Sequence, residues 1–387
     1  MRKILIVSPI ECFPTYYGNS ARIASFVHFF QEKGIDFRYL HLPDRSFDPA
    51  PMEEALGGRY IYEAYRIRKG VVNRLRLRAV VSKLLLKKNR LIKVDDFVQS
   101  SDIMQYKQVL HDYQPDTVLI NYAYLSKLLA YTPSSMLKII DTHDSLHLRY
   151  KSIYNSSKAI HRFRIGIDDE INALNRADKV VCIQKEEHTF FKDHGCKADL
   201  YTIGHHLPYR ATNIRESRAK LLYVGAGYTA NLDAVTYFLN EIWPLVSKQH
   251  PNAELYIAGG ISKELKALDQ QYPSMKILGY VDDLYPLYDT VDVAINPVRM
   301  GSGMKIKNIE ALSFGKPIIT TSVGGEGLGD FKGNGMIVVD SVADWLSSIN
   351  RLLSDTAYYQ SAVKQIEGVV GKYNIANRQA MERLLNR

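Results

Sequence analysis

The chain has 387 residues, of which 46% are hydrophobic and 24% are charged. This length suits two domains, and the composition excludes a mainly disordered or fibrous chain. Three cysteines without metal-type spacing exclude a disulfide-stapled miniprotein and favour a reducing compartment. The N-terminal apolar run is too short for a secretory signal, and no stretch of about 18 apolar residues occurs. We therefore expect a cytoplasmic protein without a membrane-spanning helix.

The net charge of +9 originates in one segment. Residues 59–93 hold twelve basic residues and one acidic residue, a local net charge of +11, so the remaining chain carries −2. Because the charge is confined to one segment and no recognition module is evident, we expect no binding to nucleic acid.

Read as a helix, this basic segment is imperfectly amphipathic, since Lys88 interrupts its apolar side. It predicts a patch that binds an anionic membrane surface; the alternative is a solvated basic face over ordinary core contacts. The proposed apolar face holds Leu77, Val80, Val81, Leu84 and Leu91, and the basic face holds Arg76, Lys83, Lys87 and Arg90.

Strands and helices are predicted to alternate from the N-terminus onward. A loop with Pro14 and Gly18 follows the first strand and leads into a helix capped by Asn19 or Ser20 and ended by Gly34. Short branched apolar runs separated by helix-length stretches are typical of a parallel sheet covered by helices on both faces. In the first half these strands are predicted at residues 3–10, 36–42, 117–122, 138–143, 179–184 and 199–204.

The second half repeats this alternation after a linker predicted at residues 207–218. Its strands are predicted at residues 221–227, 253–260, 275–280, 291–297, 316–324 and 336–340. Residues 356–387 are predicted as two helices broken near Gly371. We thus expect an α/β protein with a first domain at residues 1–208, a second domain at 215–365, and a final helix at 366–387 that packs back toward the first domain.

A small-residue loop in the second half carries the strongest chemical signal. A helix is predicted from near Met304 to near Phe314, with Gly315 ending it. The free N–H groups at its start, next to the flexible loop, suit a diphosphate. The alternative is a surface helix in which Glu310 pairs with Lys307 and the glycines only make a turn. The loop glycines and serine are Gly301, Ser302 and Gly303, and the neighbouring cations are Arg299, Lys305 and Lys307.

This segment resembles the donor loop of the large retaining glycosyltransferase family 4, whose members have the GT-B fold. Similarity extends over nearly the whole chain, including residues 253–260 and 279–297 and the closing stretch 324–328. The resemblance implies two Rossmann-like, doubly wound domains that face each other across a cleft. The domain at residues 1–208 would bind the acceptor, and the domain at 215–365 would bind the nucleotide-sugar donor. The motif positions that carry it are Pro297, Arg299, Gly301, Ser302, Gly303, Lys305, Lys307, Glu310, Ala311, Gly315 and Pro317.

The resemblance also implies roles for individual residues in binding a nucleotide-diphosphate sugar. Glu310 would bind the ribose, while Lys307, Arg299, Lys305 and the N–H groups of Ser302 and Gly303 would hold the diphosphate. Tyr280 and Val281 would contact the base, and Gly18 and Asn19 would lie beside the transferred sugar. The alternatives are a core aromatic for Tyr280 and a plain turn and helix cap for Gly18 and Asn19.

Two features depart from the family pattern. Ser302 stands where many members have a glutamate that contacts the sugar. The loop at residues 226–231 lacks the arginine and lysine that many members carry there. The resemblance then implies that the phosphate charge falls more heavily on Arg299, Lys305 and Lys307.

His143 is the candidate catalytic residue of the first half. It follows a predicted strand between Asp141 and Asp144, and the resembling family often has a histidine here. We expect the flanking carboxylates to orient the imidazole and to raise its pKa.

The reaction implied is transfer of a hexose to an acceptor hydroxyl with retention of anomeric configuration, with catalytic roles for His143, Arg299 and Lys307. Because protein cations would stabilise the leaving diphosphate, neither a metal nor a cofactor is expected. The acceptor would be a carbohydrate or a lipid-linked molecule of bacterial-type surface polysaccharide or glycolipid assembly, met at the inner membrane face. The alternatives are an epimerase or hydrolase on the same fold, or a non-catalytic nucleotide-sugar-binding protein.

Overall fold

The computed structural model of the chain comprises two compact units. The first unit is Met1–His206 with Gln379–Arg387, and the second unit is Leu207–Arg378. The structure describes residues 2–15, 18–43, 47–62, 93–149, 165–206, 208–216, 218–266, 272, 274–301 and 303–386.

The first unit is built on a parallel sheet of seven strands in the order β3-β2-β1-β4-β5-β6-β7. The central strand β1 pairs with β2 on one side and β4 on the other, with Ile4 opposite both Phe37 and Thr117. The strands are β1 (Lys3–Ser8), β2 (Asp36–His41), β3 (Tyr60–Ile61), β4 (Thr117–Asn121), β5 (Leu137–Asp141), β6 (Lys179–Cys182) and β7 (Asp199–Thr202).

Helices cover both faces of this sheet. Alternate residues of β1 enter different core clusters: Leu5 and Val7 lie on one face, and Ile4 and Ile6 on the other. This two-sided burial explains why the strand is apolar throughout. The described helices of this part of the chain are α1 (Gly18–Glu32), α2 (Ala50–Leu56), α3 (Ser100–Tyr113), α4 (Ile167–Leu174) and α5 (Lys185–Asp193), with 3₁₀ segments at Gly57–Arg59, Val94–Phe97 and Ala123–Tyr131.

The second unit contains a parallel sheet of six strands in the order β10-β9-β8-β11-β12-β13. Its faces are again both buried, since Leu221 and Tyr223 of β8 enter one core cluster and Leu222 enters the other. The strands are β8 (Lys220–Val224), β9 (Glu254–Ala258), β10 (Met275–Gly279), β11 (Val293–Asn296), β12 (Ile318–Thr320) and β13 (Met336–Val338).

The helices of the second unit connect these strands, as a parallel sheet requires. The first connection contains a π-helical turn at Phe238–Ile242, and a 3₁₀ turn lies at Gly329–Phe331. The described helices are α6 (Thr229–Tyr237), α7 (Trp243–Gln249), α8 (Ser262–Leu265), α9 (Leu284–Thr290), α10 (Ile306–Ser313), α11 (Val342–Ser354) and α12 (Thr356–Leu385).

The predicted α/β class with two parallel sheets is confirmed, but two local predictions are wrong. Helix α1 begins at Gly18, so Asn19 and Ser20 lie inside its first turn rather than at its cap. Residues 356–385 form one helix rather than two. Gly371 costs only about 1 kcal/mol inside a helix, and the buried side chains of Ile366 and Val370 offset that cost.

Within the described part of the chain, no helix is both long enough and apolar enough to cross a membrane. Most of the basic segment, residues 63–92, lies outside the described residues. The amphipathic helix expected there stays a prediction.

Candidate functional site

The donor loop predicted from the sequence connects β11 to α10 in the second unit. Gly301 and Gly303 have φ values of +113° and +78°, a left-handed backbone that favours glycine. Ser302, the predicted phosphate-binding residue between them, lies outside the described residues. Helix α10 begins at Ile306, close to the predicted start, and Gly315 follows its end with a φ of +70°. The backbone of this loop therefore lies directly before the N-terminus of α10.

Lys307 lies in the first turn of α10 and contacts the end of β8 and the start of α6. Its Nζ donates hydrogen bonds to Asn231 Oδ1 at 2.9 Å and to Tyr223 Oη at 3.2 Å, and it lies 4.5 Å from the centre of the Tyr223 ring. Burial and the nearby charge of Lys305 lower the Lys307 pKa to about 7, while Glu310 opposes the shift. The ammonium is thus held in a site that disfavours its charge.

Lys305 lies directly before α10 and contacts the same loop. Its Nζ donates to the carbonyl of Gly303 at 2.6 Å and lies 3.8 Å from Glu326 Oε2. Glu326 belongs to the closing stretch 324–328 that the sequence resemblance covers. Lys305 therefore stabilises the loop conformation with its own hydrogen bond.

Glu310 lies one turn into α10, where the resemblance implies a ribose-binding carboxylate. Its Oε1 accepts a hydrogen bond of 3.0 Å from Tyr288 Oη, and the Tyr288 ring stacks on Phe314 at 4.7 Å. Burial raises the Glu310 pKa to about 7, although the Tyr288 hydrogen bond and Lys307 oppose the shift. No ion pair joins Glu310 to Lys307 among the described residues, so the structure does not show the pair that the alternative interpretation requires.

Arg299 follows β11 but is engaged by α6. Its guanidinium makes a bidentate ion pair with Asp233, at 2.8 and 3.1 Å, and lies 4.3 Å from the centre of the Tyr237 ring. Asp233 raises the Arg299 pKa further. The structure thus gives Arg299 a carboxylate partner, whereas the sequence prediction assigns it to the diphosphate. Sequence analysis missed Asp233, although it lies two residues after Asn231.

Tyr280 and Val281, the predicted base-contacting residues, follow β10. Tyr280 is 55% exposed, so the interpretation of this residue as a core aromatic is wrong. The preceding Gly279 accepts a hydrogen bond of 2.7 Å from the N–H of Gly259, whose Cβ, if present, would lie 2.4 Å from the carbonyl of Gly225. Glycine backbone therefore packs the ends of β8, β9 and β10 together at one edge of the sheet.

A second group of predicted residues lies in the first unit, around His143. His143 has a φ of +62°, stacks on Tyr122 at 4.2 Å, and its Nε2 lies 2.9 Å from Asn121 Oδ1 and 3.4 Å from Asp141 Oδ2. Asn19 Nδ2 donates to Tyr122 Oη at 3.0 Å, which brings the start of α1 to the same cluster. Gly18 is the first residue of α1. The structure thus connects Asn19 to His143 through Tyr122, and the predicted place of Gly18, Asn19 and His143 beside a sugar stays a prediction.

The predicted rise in the His143 pKa is wrong. Burial lowers this pKa to about 4, because desolvation outweighs the attraction of Asp141. The buried Arg22 holds Asp141 through contacts of 2.6, 2.8 and 3.1 Å and donates to the carbonyl of Ile203 at 2.8 Å. Sequence analysis missed Arg22, whose partner Asp141 lies 119 positions away.

One acidic and one basic side chain near this cluster, Glu170 and His205, are also deeply buried. Glu170 accepts hydrogen bonds from the backbone N–H groups of Leu146 and His147 and from Ser145 Oγ, at 2.7, 2.9 and 3.0 Å. His205 is 1% exposed, and neither ring nitrogen has a hydrogen-bond partner among the described residues. Burial lowers the His205 pKa to about 3, so the imidazole is neutral at physiological pH.

Among the described residues, no three or more histidine, cysteine, aspartate or glutamate side chains lie together in a way that could hold a metal ion. The predicted site residues divide into the donor-loop group of the second unit and the His143 group of the first unit. The donor-loop group contains the Lys307 ammonium at the start of α10, and the His143 group contains an imidazole that burial keeps neutral at physiological pH.

Comparison with known proteins concerns the fold of the whole chain and the family similarity of its second unit. Residues 218–355, within the second unit, match the family model Glycosyl transferases group 1. A curated Klebsiella pneumoniae relative, described as an uncharacterized 44.6 kDa protein in cps region, is 26% identical over 241 residues. The match covers 58% of this chain and 62% of that protein, which is less than two thirds of its length.

Two solved structures match along almost the entire chain. Sucrose-phosphate synthase from Thermosynechococcus elongatus has a TM-score of 0.68 and 15% identity, with 99% of this chain and 98% of that chain covered. HepE from Anabaena, in complex with UDP-glucose, has a TM-score of 0.64 and 14% identity, with 99% of both chains covered. These structures show that the fold is GT-B, and the family match lies within the second unit.

Proposed function

We propose that the protein is a retaining, family 4 glycosyltransferase that moves a hexose from a nucleotide-diphosphate sugar to an acceptor hydroxyl. The observation that carries this proposal is the environment of Lys307. Its ammonium lies in the first turn of α10 with two neutral oxygen partners, and no carboxylate of the described residues is within ion-pair distance. A partly buried cation of this kind favours an anionic ligand.

The diphosphate of the donor is the proposed anion. The N–H groups at the start of α10 and the Lys307 ammonium would hold its oxygens, and the Glu310 carboxylate, oriented by Tyr288, would accept hydrogen bonds from the ribose. UDP is the first nucleotide to test, because the structure of the Anabaena neighbour is a complex with UDP-glucose. Lys305 holds the loop that presents these donors.

In the reaction, the bond between the sugar and the diphosphate breaks as the acceptor oxygen bonds to the same face of the sugar, and the proton of the acceptor hydroxyl passes to the departing phosphate oxygen. Negative charge then grows on the departing phosphate, and preorganised donors there are the largest catalytic contribution. Since Lys307 and the helix N-terminus supply positive charge, we propose that the transfer needs no divalent metal. His143, neutral at physiological pH, would hydrogen-bond the transferred sugar, with Asn121 and Asp141 orienting the ring.

The first unit is proposed to bind the acceptor. The cps-region description of the Klebsiella relative points to polysaccharide assembly. The basic segment at residues 59–93 points to a lipid-linked acceptor reached from an anionic membrane surface, so we place the protein peripherally on the cytoplasmic face.

Saturation-transfer NMR against a panel of nucleotide sugars tests the donor. Products are then analysed with and without candidate acceptors, in the presence and absence of EDTA, and the anomeric configuration of any product is read by NMR. Transfer with retained configuration supports the proposal. Epimerised or hydrolysed donor as the sole product, or donor binding without turnover on any acceptor, would favour the alternative activities on this fold.

A further inference from the structure

The loop at residues 226–231, which runs into the start of α6, contains no cation, yet its last residue, Asn231, contacts Lys307 in the first turn of α10. Asn231 Oδ1 accepts from Lys307 Nζ at 2.9 Å, and Tyr223 Oη lies 3.2 Å from the same nitrogen. Both contacts come from neutral oxygen atoms. They therefore fix the place of the ammonium without cancelling its charge.

The orientation of the Asn231 amide follows from its other contacts. Its Nδ2 donates to the carbonyl of Ala226 at 2.9 Å, and a carbonyl can only accept, so the amide oxygen must face Lys307. The Asn231 carbonyl in turn accepts from Tyr223 Oη at 3.3 Å. The two partners of Lys307 are thus hydrogen-bonded to each other.

We propose that Asn231 and Tyr223 are positioning residues that aim the Lys307 ammonium at the donor diphosphate, in place of the cations this loop lacks. The inference rests on the proposed function, because it assumes a diphosphate at α10. An asparagine suits this role better than an aspartate, since a carboxylate at 2.9 Å would compete with the phosphate for the ammonium.

The charged groups around Lys307 determine how nucleotide affinity should depend on pH. Lys305 and the buried surroundings disfavour the ammonium, Glu310 favours it, and Tyr223 remains neutral because burial raises its pKa. Because the Lys307 pKa is about 7, the ammonium of the free protein loses its proton as pH rises above 7. A bound diphosphate would stabilise the ammonium and keep it protonated to higher pH. Above pH 7, where the Glu310 carboxylate is ionised, loss of the Lys307 proton should therefore lower affinity by up to about tenfold per pH unit.

The experiment is calorimetric titration of the full chain with UDP, GDP and ADP between pH 6 and pH 9. For the tightest of these, Asn231→Ala should weaken binding about tenfold at pH 7, and Tyr223→Phe should weaken it less. Asn231→Asp should also bind the nucleotide more weakly than the wild type. Its affinity should not decrease between pH 7 and pH 9, because the new carboxylate keeps Lys307 protonated. The affinity of Lys307→Ala should likewise not decrease over this pH range, because the variant lacks the ammonium.

Asn240→Asp is the matched control, since it adds the same charge to an exposed position of the same helical segment and should keep the wild-type profile. A wild-type chain that binds none of the three nucleotides would overturn both this inference and the proposed function. Wild-type binding with an unchanged affinity in Asn231→Ala, or an unchanged fall in a folded Asn231→Asp, would overturn the positioning roles and leave the donor site standing.

Discussion

The ammonium of Lys307 should act on the transition state more than on substrate binding. Charge on the leaving diphosphate grows as the sugar bond breaks, so a cation fixed by Asn231 and Tyr223 gains interaction energy during the reaction. Lys307→Ala should lower kcat by about 10²–10³, or roughly 3–4 kcal/mol of barrier. Steady-state kinetics with the donor varied at saturating acceptor measures this.

A folded Lys307→Ala enzyme with a normal kcat and only a raised KM for the donor would contradict that assignment, since it would show uniform binding. Lys263→Ala is a suitable control, because Lys263 is an exposed lysine of α8 in the same unit. It should leave both constants unchanged.

Glu310 should matter for nucleotide affinity without supporting stability. Its carboxyl has a pKa raised to about 7, so the stabilising contribution of its protonated form is present below the ordinary pKa and is lost as pH rises through 7. Glu310→Gln should therefore weaken nucleoside diphosphate binding, while its melting temperature at pH 8 should equal or exceed that of the wild type. Calorimetry beside a thermal melt checks both; intact affinity with a lower melting temperature would indicate a structural role.

Sequence analysis could propose Lys307, Glu310 and the loop glycines because they lie within one short motif. It could not find Arg22 or Asp233, whose partners lie 119 and 66 positions away in the sequence. Pairing over such separations depends on which strand ends meet, and periodicity does not encode strand order. The direction of the His143 pKa was missed for a related reason, since burial by tertiary packing outweighed a neighbouring carboxylate.

Helix α12 shows how packing decides the extent of an element. The sequence near Gly371 reads as a break, but the helix continues and its last turns belong to the first unit. There, Ala380, Met381 and Leu384 join the core cluster of α1 and β1. Lys179 of β6 also donates a hydrogen bond of 3.1 Å to the carbonyl of Leu384.

The end of α12 should therefore contribute directly to the stability of the first unit. Leu384 is 1% exposed, so Leu384→Ala removes a buried side chain and should cost about 2–5 kcal/mol of unfolding free energy. Arg383→Ala, at the neighbouring exposed position, should change stability by less than about 0.5 kcal/mol. Denaturant unfolding measures both; equal stability of the two variants would mean that this turn is dispensable.

The architecture of the molecule was predictable because both sheets are parallel and buried on both faces. Such strands read as short, continuous apolar runs, and the crossover connections between them read as amphipathic helices. The predicted strands extend a few residues beyond the observed ones, because the sequence pattern does not mark where a strand ends and its loop begins. The loops at residues 297–305 and 321–328, which follow β11 and β12, are examples. Sequence periodicity carries no comparable signal for the acceptor, because that specificity depends on side chains contributed by separate loops.

The uneven charge of the molecule leads to the prediction that it binds anionic membranes. Outside residues 59–93 the chain carries −2, so electrostatic attraction must act through that segment. Each well-placed basic residue contributes about 1 kcal/mol at an anionic surface, and screening over about 8 Å at physiological ionic strength makes the binding sensitive to salt. We expect cosedimentation with phosphatidylserine-containing liposomes, none with purely zwitterionic ones, and release by high salt.

Two fourfold variants separate a local effect of the basic segment from that of overall charge. Glutamine at Arg76, Lys83, Lys87 and Arg90 should abolish liposome binding and leave nucleotide binding intact, because the donor-loop residues belong to the second unit. Glutamine at the exposed Lys192, Lys197, Lys248 and Lys263 lowers the net charge equally and should retain liposome binding. Equal loss in both variants would assign the attraction to total charge. A wild type that ignores anionic liposomes at low salt would instead make the segment a structural or partner-binding surface, since four or five basic residues near an anionic bilayer suffice for measurable attraction.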